Sequence, residues 1–412
     1  MNQMSSVPPH LPPRPLPPPL PAGVSFSGDR GEFRRLVTRG AALELITFGF
    51  YRFWLATDIR RHLWSNTHVE GDAPEYTGRG KELLIGFLFA LAILVPIYLA
   101  YFIVGIEAER FKAFASVPLF LFFYLFGQFA IYRARRYRLT RTVWRGVRFW
   151  MSGSGWAYAM RAAGWTLLTG LTLGLVLPWR EAALERYKMR HCYYGDLQGS
   201  FEGRGAELFK RGWKLWLAAL SPFIVGLLLA AVNAGHKAPA AAGVVGLITV
   251  IWLIAVPFIY GAFKAIEWRW WISGIRFGEV SFESELPAAA LYGLYWKVIG
   301  WFLLIVALFV GYLVLGAALI ASINQTSMLK LFASGNFQGS VPMVALTVVG
   351  YLAFIFALNV VLRVYLQRDL WARVAASTTA YNIEQASNVA AKGELANALG
   401  EGFNGGLDVV GF

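Results

Sequence analysis

Five histidines and one cysteine are all that the chain offers for a metal centre or a thiol nucleophile: His10, His62, His68, His191, His236 and Cys192. No two histidines stand four residues apart, no H-E-x-x-H occurs, and one cysteine makes neither an internal disulfide nor a thiolate cluster. Gly78 and Gly80 bracket Arg79 without the Lys-Ser/Thr that completes a phosphate-binding loop, and G-x-S-x-G is absent. The pairs Asp58 with Arg61 and Glu181 with Glu185 fall at helical spacing, where interfacial salt pairing accounts for them better than acid–base chemistry. The sequence predicts no enzyme, no metal and no cofactor.

What remains is one acid and one repeated phrase. The stretches 47-TFGFYRFW-54 and 172-TLGLVLPW-179 share the frame T-x-G-x-x-x-x-W, which singles out Thr47, Gly49 and Trp54 with Thr172, Gly174 and Trp179. Glu44 precedes the first copy inside an apolar run, with Arg39 about one turn away as its expected neutralising partner and Thr169 as its counterpart in the second copy. Arg79 and Arg204 sit in the phrases 78-GRGKELL and 203-GRGAELF.

The elements that position these residues belong to a membrane. Of 412 residues, 57% are hydrophobic and only 15% charged, and the mean hydropathy of +0.50 is too apolar for a chain with a water-facing surface. The net charge of +14 then points to a cytoplasmic face beside anionic lipid headgroups and not to nucleic acid. A Pro-rich stretch, 8-PPHLPPRPLPPPLP-21, opens the chain as a polyproline II tail with no signal-peptide pattern, and a protein partner for it is conceivable.

Six apolar runs reach the roughly 20 residues needed to cross a bilayer: about 83–106, 113–132, 213–232, 240–263, 298–322 and 341–363. The loops 107–112, 233–239 and 323–340 hold only Arg110, Lys112, Lys237 and Lys330, which leaves 34 of the 38 basic residues for the other side. By the positive-inside rule those loops face outward and both termini face the cytoplasm. The T-x-G segments conflict with a simple crossing. Arg30, Arg34, Arg35 and Arg39 precede the first while Arg52, Arg60 and Arg61 follow it, and arginines flank the second in the same way. A pair of half-helices that dips in and returns at Gly49 or Gly174 satisfies both flanks. An ordinary short crossing and an amphipathic surface helix are the other readings.

The repeat extends beyond the phrase. Residues 47 and 172, and residues 78 and 203, are both separated by 125, which reads as an internal duplication. The expected fold is an all-α polytopic membrane protein, with six long transmembrane helices plus two short or re-entrant hydrophobic elements in a duplicated unit. Short strand-like pieces, such as those at 146-GVRF-149 and 274-GIRF-277, are expected to form a small cytoplasmic cap, with plain connecting turns as the equal alternative. The corresponding segments are a disordered tail (1–24), two membrane repeats (25–150 and 151–290), a C-terminal transmembrane helix pair (291–373) and a polar tail (374–412).

Taken in order, the S-G that opens a unit, the T-x-G-x-x-x-x-W frame, the basic aromatic helices running into G-x-R-F, and the closing 400-GEGFNGGLDV-409 resemble the YjgN family of bacterial inner-membrane proteins. The resemblance runs from about Ser25 to Phe412, with Phe48 and Phe50 where the family tends to carry aliphatics. It implies a multi-pass protein of the bacterial inner membrane and supplies no activity or site. Two readings of function follow from the residues. One is a transporter-like or channel-like protein for an unidentified solute or lipid, with a polar cavity bounded by Glu44, Gly49 and Gly174. The alternative is a non-transporting scaffold that binds lipid or a partner, with those glycines packed and no cavity.

Overall fold

The computed structural model describes residues 21–107, 112–232, 239–323, 341–393 and 395–396. One rule governs the chain: a strand leads into a pair of helices, the second helix returns to a strand paired with the first, and a short turn passes the chain on. The first such unit is β1 (Pro21–Phe26), α1 (Arg30–Ile46), α2 (Arg52–Ser65) and β2 (Thr67–Val69). The second is β3 (Glu75–Tyr76), α3 (Gly80–Glu107), α4 (Lys112–Thr140) and β4 (Thr142–Trp144). The third is β5 (Val147–Met151), α5 (Gly155–Leu171), α6 (Leu177–Arg190) and β6 (Cys192–Tyr194). The fourth is β7 (Leu197–Phe201), α7 (Gly205–Val232), α8 (Pro239–Gly274) and β8 (Ile275–Phe277). In the fifth, β9 (Val280–Ser284) leads to α9 (Ala288–Ile323) and α10 (Val341–Leu362). A π-helical stretch (Arg363–Asp369) and α11 (Leu370–Ala376) then return the chain to β10 (Thr378–Tyr381), and a 3₁₀ segment (Ile383–Asn388) follows.

The strands form one antiparallel sheet in the order β2-β1-β10-β9-β8-β7-β6-β5-β4-β3. Its two outer strands are consecutive in the chain. They meet at the Glu70–Gly71 turn, where Val69 and Asp72 exchange both backbone hydrogen bonds, at 3.0 and 3.1 Å. The sheet therefore curls into a ring whose ends are joined covalently. Its turns carry the residues that tight hairpins require: positive φ at Glu70 and Gly71, at Arg145 and Gly146, and at Gly195 and Gly278. Arg145 clamps two of these turns together, pairing with Asp72 at 2.6 Å and Glu70 at 3.0 Å.

The inside of the ring is a filled apolar core. Trp144, Tyr194, Val280 and Ala380 are buried in it, and Phe149, Phe277 and Phe282 pack against them. Ile383, Ala386 and Val389, from the segment after β10, join the same core. That segment is tied to the ring's turns, with the Ala390 amide on Asp196 Oδ1 at 3.0 Å and Asn382 Nδ2 on the Glu279 carbonyl at 3.1 Å. The first described strand starts, and the last ends, at this turn end. All the helix pairs leave from the opposite end.

Sequence and structure differ here in a definite way. The expected fold was all-α with strand-like pieces, whereas the strands make up one continuous sheet. Its closing pair, Pro21 opposite Tyr381, joins residues from opposite ends of the chain, a pairing that no local pattern reveals. Strand β1 also starts inside the stretch assigned to the Pro-rich tail, and residues 374–388 of the polar tail contribute a helix end, a strand and the ring's plug.

Five helices among the described residues are long and apolar enough to cross a membrane: Gly80–Val104, Val117–Thr140, Gly246–Gly274, Ala288–Ile323 and Val341–Ala376. The expected run 213–232 lies in α7, which is not among the five and carries Lys210, Arg211 and Lys214 in its first turns. The outward loops expected at 107–112, 233–239 and 323–340 lie mostly outside the described residues.

Candidate functional site

The two T-x-G phrases form the same turn. Helices α1 and α5 have 17 residues each, α2 and α6 have 14 each, and every one of these elements in the third unit starts 125 residues after its counterpart in the first. At the first turn, Phe48 and Gly49 have φ of 50° and 88°; at the second, Leu173 and Gly174 have 49° and 88°. The glycine amides reach back to Glu44 O and Thr169 O, both at 2.7 Å, which closes the preceding helix with an αL residue. The threonine serves both helices. Thr47 Oγ1 donates to Leu43 O at 2.7 Å and accepts from the Tyr51 amide at 2.9 Å, while Thr172 Oγ1 donates to Leu168 O at 2.8 Å and accepts from the Val176 amide at 3.4 Å. Thr and Gly are thus explained by backbone hydrogen-bond satisfaction at a helical hairpin.

Tryptophan completes the phrase from the other side. A Cβ on Gly80 would lie 2.8 Å from Trp54 Cα, and one on Gly205 would lie 2.7 Å from Trp179 Cα. The third residue of each G-R-G phrase is therefore glycine because α3 and α7 start directly against the backbone of α2 and α6. The first glycines, Gly78 and Gly203, sit under the rings of Tyr76 and Phe201. Arg79 and Arg204 lie exposed between them, and the Arg204 carbonyl accepts from Trp270 Nε1 at 3.0 Å.

Glu44 does not pair with Arg39. Its Oε2 meets Arg363 of the π-helical stretch at 3.0 Å, with both side chains largely buried. Five residues along a helix is a rotation of about 140° past a full turn, so Arg39 points away from Glu44. The true partner lies 319 positions on. Gly49 has open space around it and Gly174 only Trp216 at 3.7 Å, while Phe48 and Leu173 are 94% and 84% exposed. Among the described residues, the glycines are not packed against neighbouring helices, and Gly49 and Gly174 mark bare apolar hairpin tips.

A polar cluster lies elsewhere. The helices pack in chain order and α1 also packs on α10, so they too close a ring. On its inner side, Arg135 of α4, Glu181 and Glu185 of α6, and Lys264 and Glu267 of α8 face a cavity of about 160 Å³ walled by Trp268, Trp270, Trp271 and Tyr295. Arg135 meets Glu185 at 3.1 Å, Lys264 meets Glu267 at 2.5 Å, Lys188 pairs with Glu185, and Arg180 pairs with Glu181. Burial would raise the Glu185 carboxyl, but Lys188 and Arg135 outweigh it and hold the group down at about 2. Each acid has a basic partner: Arg135 and Glu185 tie α4 to α6, and the other three pairs lie within one helix.

The sequence model of the bacterial protein family of unknown function DUF898 matches residues 21–297, two thirds of the chain, from the start of β1 into α9. The chain belongs to that family. It is the same family as the YjgN resemblance. No curated protein and no solved structure matches the chain.

Within this DUF898 protein, sequence reasoning named the hairpin turns and missed the buried cluster. Glu181 and Glu185 were legible as a helical pair but read as interfacial. The phrase 264-KAIE-267, a Lys–Glu pair beside a tryptophan run, was the available signal. Among the described residues no group of His, Cys, Asp or Glu has the geometry of a metal site.

Proposed function

We propose that this DUF898 protein is a non-transporting scaffold of the bacterial inner membrane, which gathers anionic lipid and a cytosolic partner at its cytoplasmic face. The observation that carries this reading is the plugged ring. An apolar core fills the inside of the sheet, and Ile383, Ala386 and Val389 of the segment after β10 pack into that core. In this reading α7 is the sixth crossing, the offset of 125 records a duplication, and the α1–α2 and α5–α6 hairpins dip into the leaflet on the ring side. The ring and both termini then lie in the cytoplasm, where the arginine flanks of both hairpins find anionic headgroups. The transporting reading draws on the charged cavity at Glu185, a polar site among hydrophobic helices of the kind transporters use.

Proteoliposomes separate the two. The full chain in vesicles of phosphatidylethanolamine and phosphatidylglycerol is expected to show no ion conductance and no osmotic swelling with sugars or amino acids above protein-free vesicles. A flux that Glu267→Gln abolishes while the protein stays folded would overturn the scaffold reading.

A further inference from the structure

The α1–α2 and α5–α6 hairpins share their turns and lengths but differ in one wall. At Gly40 of α1 the chain approaches Leu55 of α2 so closely that a Cβ there would overlap its side chain. The position 125 residues on from Gly40 is Trp165, and the position 125 on from Leu55 is Arg180. A tryptophan takes the place of that glycine, and between α5 and α6 lies an open groove of about 630 Å³. Arg161, Trp165, Arg186, Tyr187, Arg190 and His191 line it, with no carboxylate among the described lining residues. The counterparts of Arg161, Arg190 and His191 in the first hairpin are Leu36, Ser65 and Asn66, while Arg186 matches Arg61, so the first hairpin keeps only one of the three groove arginines.

The groove is built. Tyr187 is fixed by its hydroxyl on Ser154 O at 2.9 Å, and the His191 ring packs on it at 4.5 Å while His191 Nδ1 bonds Tyr187 O at 2.7 Å. Arg161 lies over the Tyr187 ring at 4.4 Å. Arg186 and Arg190 are exposed at its rim. Its level on the hairpin is defined as well. Below it, Leu167, Leu171 and Leu173 are 67%, 73% and 84% exposed, an apolar tip. Arg161 stands ten residues before Leu171, about 15 Å along a helix, which is half of a roughly 30 Å hydrocarbon core. With the tip in one leaflet, three guanidiniums lie at the depth of phosphates.

We propose that the α5–α6 groove binds a phosphate-bearing anion, held by Arg161, Arg186 and Arg190 with Trp165 as its floor, and that the anion is the headgroup of an anionic phospholipid. This rests on the lipid-binding scaffold reading and places the lipid at one site. Guanidinium forks match phosphate oxygens bidentately, and the tryptophan suits the interface between headgroup and acyl chain.

Native mass spectrometry of the full chain in detergent, titrated separately with phosphatidylglycerol, phosphatidylcholine and inorganic phosphate, tests it. The wild type is expected to retain phosphatidylglycerol at least tenfold more tightly than phosphatidylcholine. Arg186→Gln with Arg190→Gln should remove that preference about tenfold, whereas Arg34→Gln with Arg35→Gln on α1 should leave it intact. All four arginines are exposed, so the variants should fold as the wild type does. Saturable binding of inorganic phosphate that is lost in the groove variant, without lipid preference, upholds the phosphate chemistry and overturns the lipid source. Equal phosphatidylglycerol retention by wild type and groove variant overturns the groove while leaving the scaffold reading in place. A wild type that neither prefers an anionic lipid nor binds inorganic phosphate overturns both.

Discussion

Replacing Glu185 with alanine is expected to cost about 3–5 kcal/mol of stability, the usual cost of removing one partner from a buried ion pair. The reason is what the substitution leaves behind. Arg135 and Lys188 both contact Glu185, and the side chains of all three are less than one-fifth exposed. Without the carboxylate, two largely buried cations remain side by side with no acid between them. Asp58→Ala is the control. Its pair with Arg61 is on the surface, and its loss should cost no more than about 1 kcal/mol. Thermal unfolding in detergent of the two variants measures the difference directly, and equal shifts would show that the cluster is hydrated. A pH dependence follows from the same group. The Glu185 carboxyl is held at about 2 in the fold against 4.5 in its ordinary state, so its stabilising contribution is complete above 4.5. It is lost progressively as the pH falls from there towards 2, and the Glu185→Ala variant should lack that part of the acid transition.

Gly205→Ala should be the second large effect, destabilising by about 1–3 kcal/mol although it adds a single methyl group. The new Cβ would stand 2.7 Å from Trp179 Cα and 2.8 Å from Pro178 O, both backbone atoms that no rotamer change can move. Gly80→Ala should behave alike, with Trp54 Cα at 2.8 Å and Trp54 N at 2.9 Å. Gly164→Ala on α5 provides the contrast. Nothing lies within 4 Å of that Cβ, so the helix should gain up to about 1 kcal/mol from the better helix former. Chemical denaturation of the three variants ranks them. A Gly205→Ala protein as stable as the wild type would mean that α6 and α7 do not meet there.

Much of the architecture was legible because membranes enforce simple local rules. Continuous apolar runs give spans, and arginine on both flanks of 41–56 and 162–179 gives a chain that turns back. The turn itself was readable at Gly49 and Gly174, since positive φ beside a threonine that can cap both helices leaves a local signature. What sequence reasoning missed is non-local. The partner of Glu44 is Arg363, on the far side of the chain, and the closure of the sheet depends on β10 returning to β1. Strands of two to six residues are too short for alternation to reveal a register. The G-R-G phrase was visible as a motif, yet its cause, a backbone contact with Trp54 or Trp179, needed the packed helices. The charged cluster escaped for the opposite reason: Glu181 and Glu185 look like any solvated helix pair until α4 and α8 are placed around them.

The central claim is that apolar hairpin tips enter one leaflet while their arginine flanks stay at its surface, and the depth of a spin label at Leu171 tests it most directly. Cys192 is buried and its thiol is pushed up to about 11 by desolvation, so a cysteine introduced at the exposed position 171 is labelled selectively. In bilayer nanodiscs, power saturation should find the label at position 171 accessible to oxygen and shielded from a nickel chelate. A label at Ser154, at the base of the same hairpin, should show the reverse. A label at position 171 as open to the nickel chelate as the one at position 154 would contradict the account, because the tip would then lie in water.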